Sequence, residues 1–280
     1  MNLNNVKHGD LKEVFDALEE AFGKLEIDFY MIGAVAREVW YEKGNKQFRR
    51  TKDVDFAVLV SNEKQYDAVR EYLIGNKNFT ATRQNSFAII SPAGIQVDIL
   101  PFGQIATDTG VQLSGGLGVT SISVDGFLEV YQSGTQDMNV GASHRFKVAT
   151  LPAIVLLKLI AFDDRPENRM KDVRDIANII LHYFDLQADF IYANHSDIFD
   201  RDTRALDDIT LQEISGIVIG REIRRIADRN MQLQIRLTTI LKLQLDLAEN
   251  SAFIRNMVEE TEMTLEEVAK WVSAILRGLS

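Results

Sequence analysis

Two carboxylates, Asp53 and Asp55, sit one residue apart at the head of the run DVDFAVLV, and a third, Asp98, lies between Val97 and Ile99 in QVDILPF. Alternate side chains of a strand share a face, so Asp53 and Asp55 point the same way, about 6–7 Å apart, while Val54, Phe56 and Val58 point into a core. Like charges held together repel and are tolerable when solvent or a cation lies between them. A hard divalent cation such as Mg²⁺ prefers carboxylate oxygens and keeps coordination sites open for phosphate. If the strand bearing Asp98 lies beside the first, all three acids reach one site. Three such acids can hold two metals, a pair that activates an attacking hydroxyl and stabilises the leaving group of an in-line phosphoryl displacement.

An anion site is expected nearby. In MIGAVAR, Gly33 falls where a strand turns into a helix, and the free N–H groups of a helix start favour a triphosphate. Arg37 follows one helical turn later, placed for a charged contact. The segment KGNKQFRRTK, residues 43–52, carries only positive charges and leads directly into Asp53. It reads as a solvated loop whose position beside the acids gives Arg50 and Lys52 a supporting or acceptor-side role.

These residues need a frame. Leu11, Val14, Phe15, Leu18 and Phe22 recur at helical spacing behind a capping pair, Asp10 and Glu13. IDFYMIG reads as a buried strand, AVAREVWYEK as a helix ending at Gly44, DVDFAVLV as a second strand, and NEKQYDAVREYLIG as a helix closed by Gly75. FTATRQNSFAIIS and IQVDILPF read as neighbouring strands joined at Pro92-Ala93-Gly94. Residues 103–118 read as a flexible glycine-rich turn without the Lys-Ser or Lys-Thr pair of a phosphate loop. ISVDGFLEVYQ reads as strand and turn, and residues 133–143 as an exposed loop near a domain boundary. Beyond Leu151 the pattern is helical. Thr210 with Glu213 and Thr264 with Glu267 form capping boxes, and the ambiguous stretch from Met231 is assigned to helix. The chain therefore reads as α/β (α+β): a small mixed-sheet domain over residues 1–145 and a helical domain over residues 146–280.

Bulk properties narrow the function. The 280 residues, 46% hydrophobic and 26% charged, are ordinary for a globular protein. The net charge of −10 argues against broad nucleic-acid binding. There are no cysteines, which excludes disulfides, thiolate nucleophiles and zinc–thiolate sites. No apolar run reaches the roughly 18 residues of a membrane span. MNLNNVKHGD lacks an apolar signal core, so the location expected is cytoplasmic. His8, His144, His182 and His195 form no zinc motif, and no G-x-S-x-G elbow is present.

The ordered set IGAVAR, TKDVDFAVLV and QVDILPF resembles the nucleotidyltransferase superfamily of the DNA polymerase beta type. The downstream segment LPAIVLLKLIAFDDRPENRMKDVRDIANII narrows the likeness to AbiEii-type abortive-infection toxin nucleotidyltransferases, over residues 25–185. The resemblance implies a mixed-sheet catalytic domain, a helical domain that completes the cleft, and transfer of a nucleotide from an NTP with Mg²⁺, two ions, or Mn²⁺ as the alternative. It implies that Asp53 and Asp55 bind metal, and that Asp98 binds metal and helps deprotonate the acceptor. Gly33 would lie by the triphosphate. Ala34 stands where the family usually has Gly or Ser, keeping the backbone N–H without a hydroxyl. Lys158 resembles a lysine that contacts phosphate, and Asp175 an acid near the site. Read from the residues alone, Lys158 is also compatible with a snorkelling lysine, and Lys171 with Asp175 a helix-surface pair.

The leading expectation is an enzyme that moves an NMP from an NTP to an acceptor hydroxyl on RNA (such as a tRNA end), protein or a small molecule, as the toxin of a pair restrained by an antitoxin protein, away from membranes. The alternatives are a non-catalytic nucleotide-binding protein on the same fold, or an antibiotic-modifying nucleotidyltransferase.

Overall fold

The computed structural model describes residues 8–44, 53–108, 110–115, 118–141, 143–199 and 209–280. The chain divides into two compact units, Met1–Thr150 and Leu151–Ser280.

The first unit is built on a seven-stranded mixed sheet. In chain order it comprises α1 (His8–Lys24), β1 (Phe29–Ile32), α2 (Gly33–Lys43), β2 (Asp53–Leu59), α3 (Glu63–Lys77), β3 (Thr80–Ala81), β4 (Ala88–Ile90), β5 (Gln96–Phe102), β6 (Val111–Gly115), β7 (Gly118–Ile122), α4 (Phe127–Ser133), β8 (Thr135–Val140) and β9 (His144–Ala149). The sheet order is β3-β4-β5-β2-β1-β9-β8, and β6 pairs with β7 in a separate hairpin. Strand β2 sits at the centre, antiparallel to β1 and parallel to β5.

The two sheet faces differ as the alternation in β2 requires. Val54, Phe56 and Val58 are buried, and Phe56 meets Phe15 and Phe22 of α1, Phe29 and Phe146 at ring separations of 5.8–6.4 Å. Packing five large rings in edge-to-face and tilted contacts fixes α1 across this face. On the acid-bearing face, farther along the strands, Tyr30, Phe102, Phe127 and Tyr131 close the surface. The Tyr30 hydroxyl donates to the Phe127 carbonyl at 2.9 Å, so its buried polar tip is satisfied.

Several local expectations are corrected. Helix α1 starts at His8, ahead of Asp10. Helix α3 runs through Gly75 and stops at Asn78, which adopts φ 57° and donates its N–H to the Leu73 carbonyl. Part of the glycine-rich stretch forms the β6–β7 hairpin. FLEVYQS is helical, started by Gly126 at φ 83°. Residues 135–140, read as loop, form an edge strand on β9. Strand β9 itself went unread, and it carries the sheet beyond position 145 to Ala149. The turn at Pro92–Gly94 does join the antiparallel strands β4 and β5.

The second unit is helical: α5 (Leu151–Asp164), α6 (Met170–Asn194), α7 (Leu211–Ile226), α8 (Met231–Leu247), α9 (Ala252–Thr261) and α10 (Leu265–Leu279). Both capping boxes form, at Thr210 and Thr264. Helix α5 is apolar around nearly its whole circumference and is buried. Helix α6 breaks at Gln187, whose φ/ψ of −131°/20° are non-helical. Helices α7 and α10 cross at glycines. A Cβ on Gly220 would come 2.1 Å from the Ile275 carbonyl oxygen, and one on Gly278 2.1 Å from that of Ile217. Among the described residues no helix is long and apolar enough to cross a membrane.

Candidate active site

Strand register decides which acids meet. Asp55 of β2 lies opposite Asp98 of β5, while Asp53 lies opposite Gln96. Paired residues of neighbouring strands share a face and stand roughly 4.8 Å apart. Asp53, Asp55, Gln96 and Asp98 therefore occupy one face of two parallel strands. Asp53 is exposed at the strand start, and Asp55 and Asp98 are half-buried. The Gln96 Nε2 donates to Asp98 Oδ1 at 2.9 Å and orients that carboxylate.

Gly33 closes the other side. Ile32 of β1 pairs with Asp55, and the chain enters α2 at once through Gly33, whose φ is +69°. A Cβ at this position would sit 2.1 Å from Asp55 Oδ2. Glycine is thus required twice here, for the left-handed backbone and for the approach of the carboxylate. Ala34, the next residue, is partly exposed at the helix start.

The remaining expected residues are placed as follows. Arg37 is buried, its guanidinium 5.9 Å from the centroid of the Tyr41 ring. Arg50 and Lys52 lie outside the described residues. Tyr66 of α3 backs the acid strand: its hydroxyl donates to the Ile99 carbonyl at 2.9 Å. Burial pushes that phenol well above its ordinary pKa, with Asp98 among the charges adding to the rise.

Lys158 and Asp175 belong to the second unit. The buried Lys158 ammonium bridges Asp172 at 2.5 Å and Asp175 at 2.8 Å. Burial alone would lower its pKa, but the charges and hydrogen bonds of the two aspartates outweigh burial and raise it. Asp175 is buried against Lys158 rather than forming a surface pair with Lys171. Asp172 was missed in the sequence, where the available signal was its i,i+3 spacing from Asp175, which sets both on one helix face.

Oxygen-only donors on adjacent strands match the preference of a hard divalent cation. Among the described residues, no three acids or imidazoles come close enough to form a ready-made metal cage. The register explains this, since it sets Asp55 beside Asp98 and Asp53 beside an amide. A pair of carboxylates leaves most of an ion's coordination shell to water and phosphate oxygens, as Mg²⁺ prefers.

No curated protein sequence matches this chain. Among solved structures, the antibiotic-resistance factor ANT(2'')-Ia aligns with 9% identity and a TM-score of 0.37, covering 68% of this chain and 96% of that one. An antigenic nucleotidyltransferase-like protein from Paracoccidioides brasiliensis aligns with 16% identity and a TM-score of 0.38, covering 68% of this chain and 90% of that one. Likenesses this distant carry no functional weight. The family described as nucleotidyl transferase AbiEii toxin, type IV toxin–antitoxin system, matches residues 16–268, and the chain, a nucleotidyltransferase, belongs to that family.

Proposed function

We propose that the protein transfers an NMP from an NTP to an acceptor hydroxyl in a divalent-metal-dependent reaction, and that it acts as the toxin of a toxin–antitoxin pair. The observation that carries this reading is the in-register pair Asp55 and Asp98 beside a glycine whose missing side chain makes room for the Asp55 carboxylate.

Asp55 and Asp98, with Asp53 along the same face, are the residues that would hold Mg²⁺, or Mn²⁺ in its place. When bound, the ions supply charge neutralisation on the triphosphate and lower the pKa of the attacking hydroxyl. The chain's own groups do the rest. The α2 N-terminus at Gly33 and Ala34 offers backbone N–H groups to phosphate oxygens. Asp98, its Oδ1 engaged by Gln96, takes the proton of the acceptor hydroxyl. The acceptor oxygen forms a bond to the α-phosphorus as the bond to the β-phosphate oxygen breaks, and pyrophosphate leaves. In this reading Arg37, on the helix that starts at Gly33, serves the phosphates, while Lys158 keeps to its pair with Asp172 and Asp175. Arg50 and Lys52 support the site or face the acceptor. A second reading, nucleotide binding without turnover, is favoured by Ala34, which lacks the hydroxyl that a serine would offer there.

The test is a transfer assay with Mg²⁺ and each α-labelled NTP, offering total RNA, lysate protein and aminoglycosides as acceptors. An Asp53→Asn/Asp55→Asn double variant is the control. Label in one acceptor class, absent with the variant, is the expected result and names the acceptor. Metal-dependent NTP binding without label supports the second reading. Neither binding nor label overturns both.

A further inference from the structure

The acid row of the central strands is interrupted by one amide, Gln96. Asp53 lies opposite Gln96 and Asp55 opposite Asp98. A glutamate at position 96 would have the same shape and would make both facing pairs carboxylate on carboxylate, with four like charges on one face. Glutamine keeps the shape, removes the fourth charge and brings an N–H donor. Two residues apart on one strand, Gln96 and Asp98 share a face, and the Gln96 Nε2 donates to Asp98 Oδ1 at 2.9 Å. The nitrogen is the end that must face Asp98, because the amide oxygen would repel an ionised carboxylate.

Gln96 is itself held in place. It is the first residue of β5, where a strand would otherwise fray, but the residue before it is fixed through both backbone groups. The Ser91 N–H donates to the Ile95 carbonyl at 2.8 Å, and the Ile95 N–H donates to the Ser91 hydroxyl oxygen at 3.0 Å. The Gly94 N–H closes the turn on the Ser91 carbonyl at 2.9 Å. Ser91 and Ile95 are buried, so water does not compete for these bonds. On the neighbouring strand the half-buried Ile90 pairs with Gln96 and flanks its stem. A donor whose own base is fixed in this way fixes the group it touches.

We infer, on the reading of Asp53, Asp55 and Asp98 as metal ligands proposed above, that Gln96 is a positioning residue that fits the site to Mg²⁺ over a larger ion such as Ca²⁺. Mg²⁺ demands a near-ideal octahedron and is bound through one or two carboxylates together with phosphates and water. Ca²⁺ takes about six to eight oxygens and often uses both oxygens of a carboxylate. Binding through both oxygens needs the carboxylate plane turned to the ion. The Gln96 amide sets that plane through Oδ1, so Asp98 meets a cation with one oxygen. One oxygen suffices for Mg²⁺ and leaves Ca²⁺ short of ligands.

The test is nucleotide binding by the full chain in Mg²⁺ or in Ca²⁺, followed by titration calorimetry with α,β-methylene NTPs, which do not transfer. The unaltered chain should bind at least about tenfold more tightly in Mg²⁺, the factor that one hydrogen bond to a charged group represents. Gln96→Leu keeps the bulk without the donor and should bring the ratio of the two dissociation constants close to one. Gln96→Glu adds an oxygen ligand and should reverse the preference. Thr80→Val, two strands away in the same row, should leave the ratio unchanged. If Gln96 only supported the strand, its variants would lower the melting temperature and weaken both complexes alike, with the ratio unmoved. That result, or an unaltered chain without preference for Mg²⁺, overturns the inference and leaves the metal-dependent function standing. Nucleotide binding that needs no divalent ion, or no binding at all, overturns the metal reading and this inference with it.

Discussion

Gly33 is the residue on which the acid pair depends. Its φ of +69° lies where a side chain is strained by roughly 1–2 kcal/mol. A Cβ there would occupy space that Asp55 Oδ2 already fills, at 2.1 Å. Gly33→Ala must therefore displace the Asp55 carboxylate or rotate the start of α2. The expected outcome is a fall in transferase turnover of at least about a hundredfold, since displacing a catalytic group by about 1 Å has that effect. The melting temperature should drop by only a few degrees, as about 1–2 kcal/mol does in a chain of this size. Turnover and melting curves measured on the same sample separate the two effects. Lys158 shows the opposite dependence. Lys158→Met removes the ammonium from the buried Asp175 and leaves Asp172 only the longer contact with Arg169 at 3.4 Å, a loss of about 3 kcal/mol in chemical denaturation. Adding Asp172→Asn to that variant should recover part of it, because one of the two neighbouring carboxylates that faced the ammonium is then uncharged.

Elements are held by local devices of different strength, and their disruption should differ accordingly. At the α7–α10 crossing, Gly220→Ala drives a methyl to 2.1 Å from the Ile275 carbonyl oxygen, and overpacking at backbone should destabilise by about 3 kcal/mol. Gly23→Ala in α1 meets nothing within 4 Å and should stabilise by about 0.5–1 kcal/mol, since alanine is the better helix former. Denaturant midpoints of the two variants should move in opposite directions. Between α1 and α3, Glu20 accepts hydrogen bonds from Lys24, Lys77 and the Tyr72 hydroxyl, which lower its pKa from 4.5 to about 2. A depressed acid stabilises the fold above its unfolded pKa and loses that contribution as pH falls through the folded one. Stability should thus decline between pH 4.5 and about 2, with a shallower decline in Glu20→Gln, as followed by acid titration of helicity.

The same scale shows what the sequence made legible. Elements with full periodicity, such as β2, α7 and α10, were readable because burial on one face leaves a period of its own. Strand β8 was not, because Thr135–Val140 sits at the sheet edge with polar residues outward and reads as loop. Helix α4 was missed because FLEVYQS is barely two turns long, too short for a stripe. The acids were visible in the sequence, but their pairing was not. Register alone sets Asp55 rather than Asp53 against Asp98, and the Asp172 contact with Lys158 depends on how α5 and α6 pack.

At the scale of the whole molecule the question is how a chain of net charge −10 takes up a polyanionic nucleotide. In the proposed reading, bare carboxylates at Asp53, Asp55 and Asp98 would repel a triphosphate, and uptake is expected to be linked to a cation held between them. The family membership makes the protein a nucleotidyltransferase, and this linkage gives a test that needs no acceptor. With NTP and Mg²⁺ both present at about 100 times their dissociation constants, the folded state should gain about 2.7 kcal/mol. In thermal melts this is a rise of several degrees. NTP with EDTA should give no rise, and Mg²⁺ alone only a small one. The Asp55→Asn/Asp98→Asn variant should be indifferent to the pair together. A rise of equal size in EDTA would mean that phosphate is held by backbone and basic groups alone, and the acids would then need another explanation.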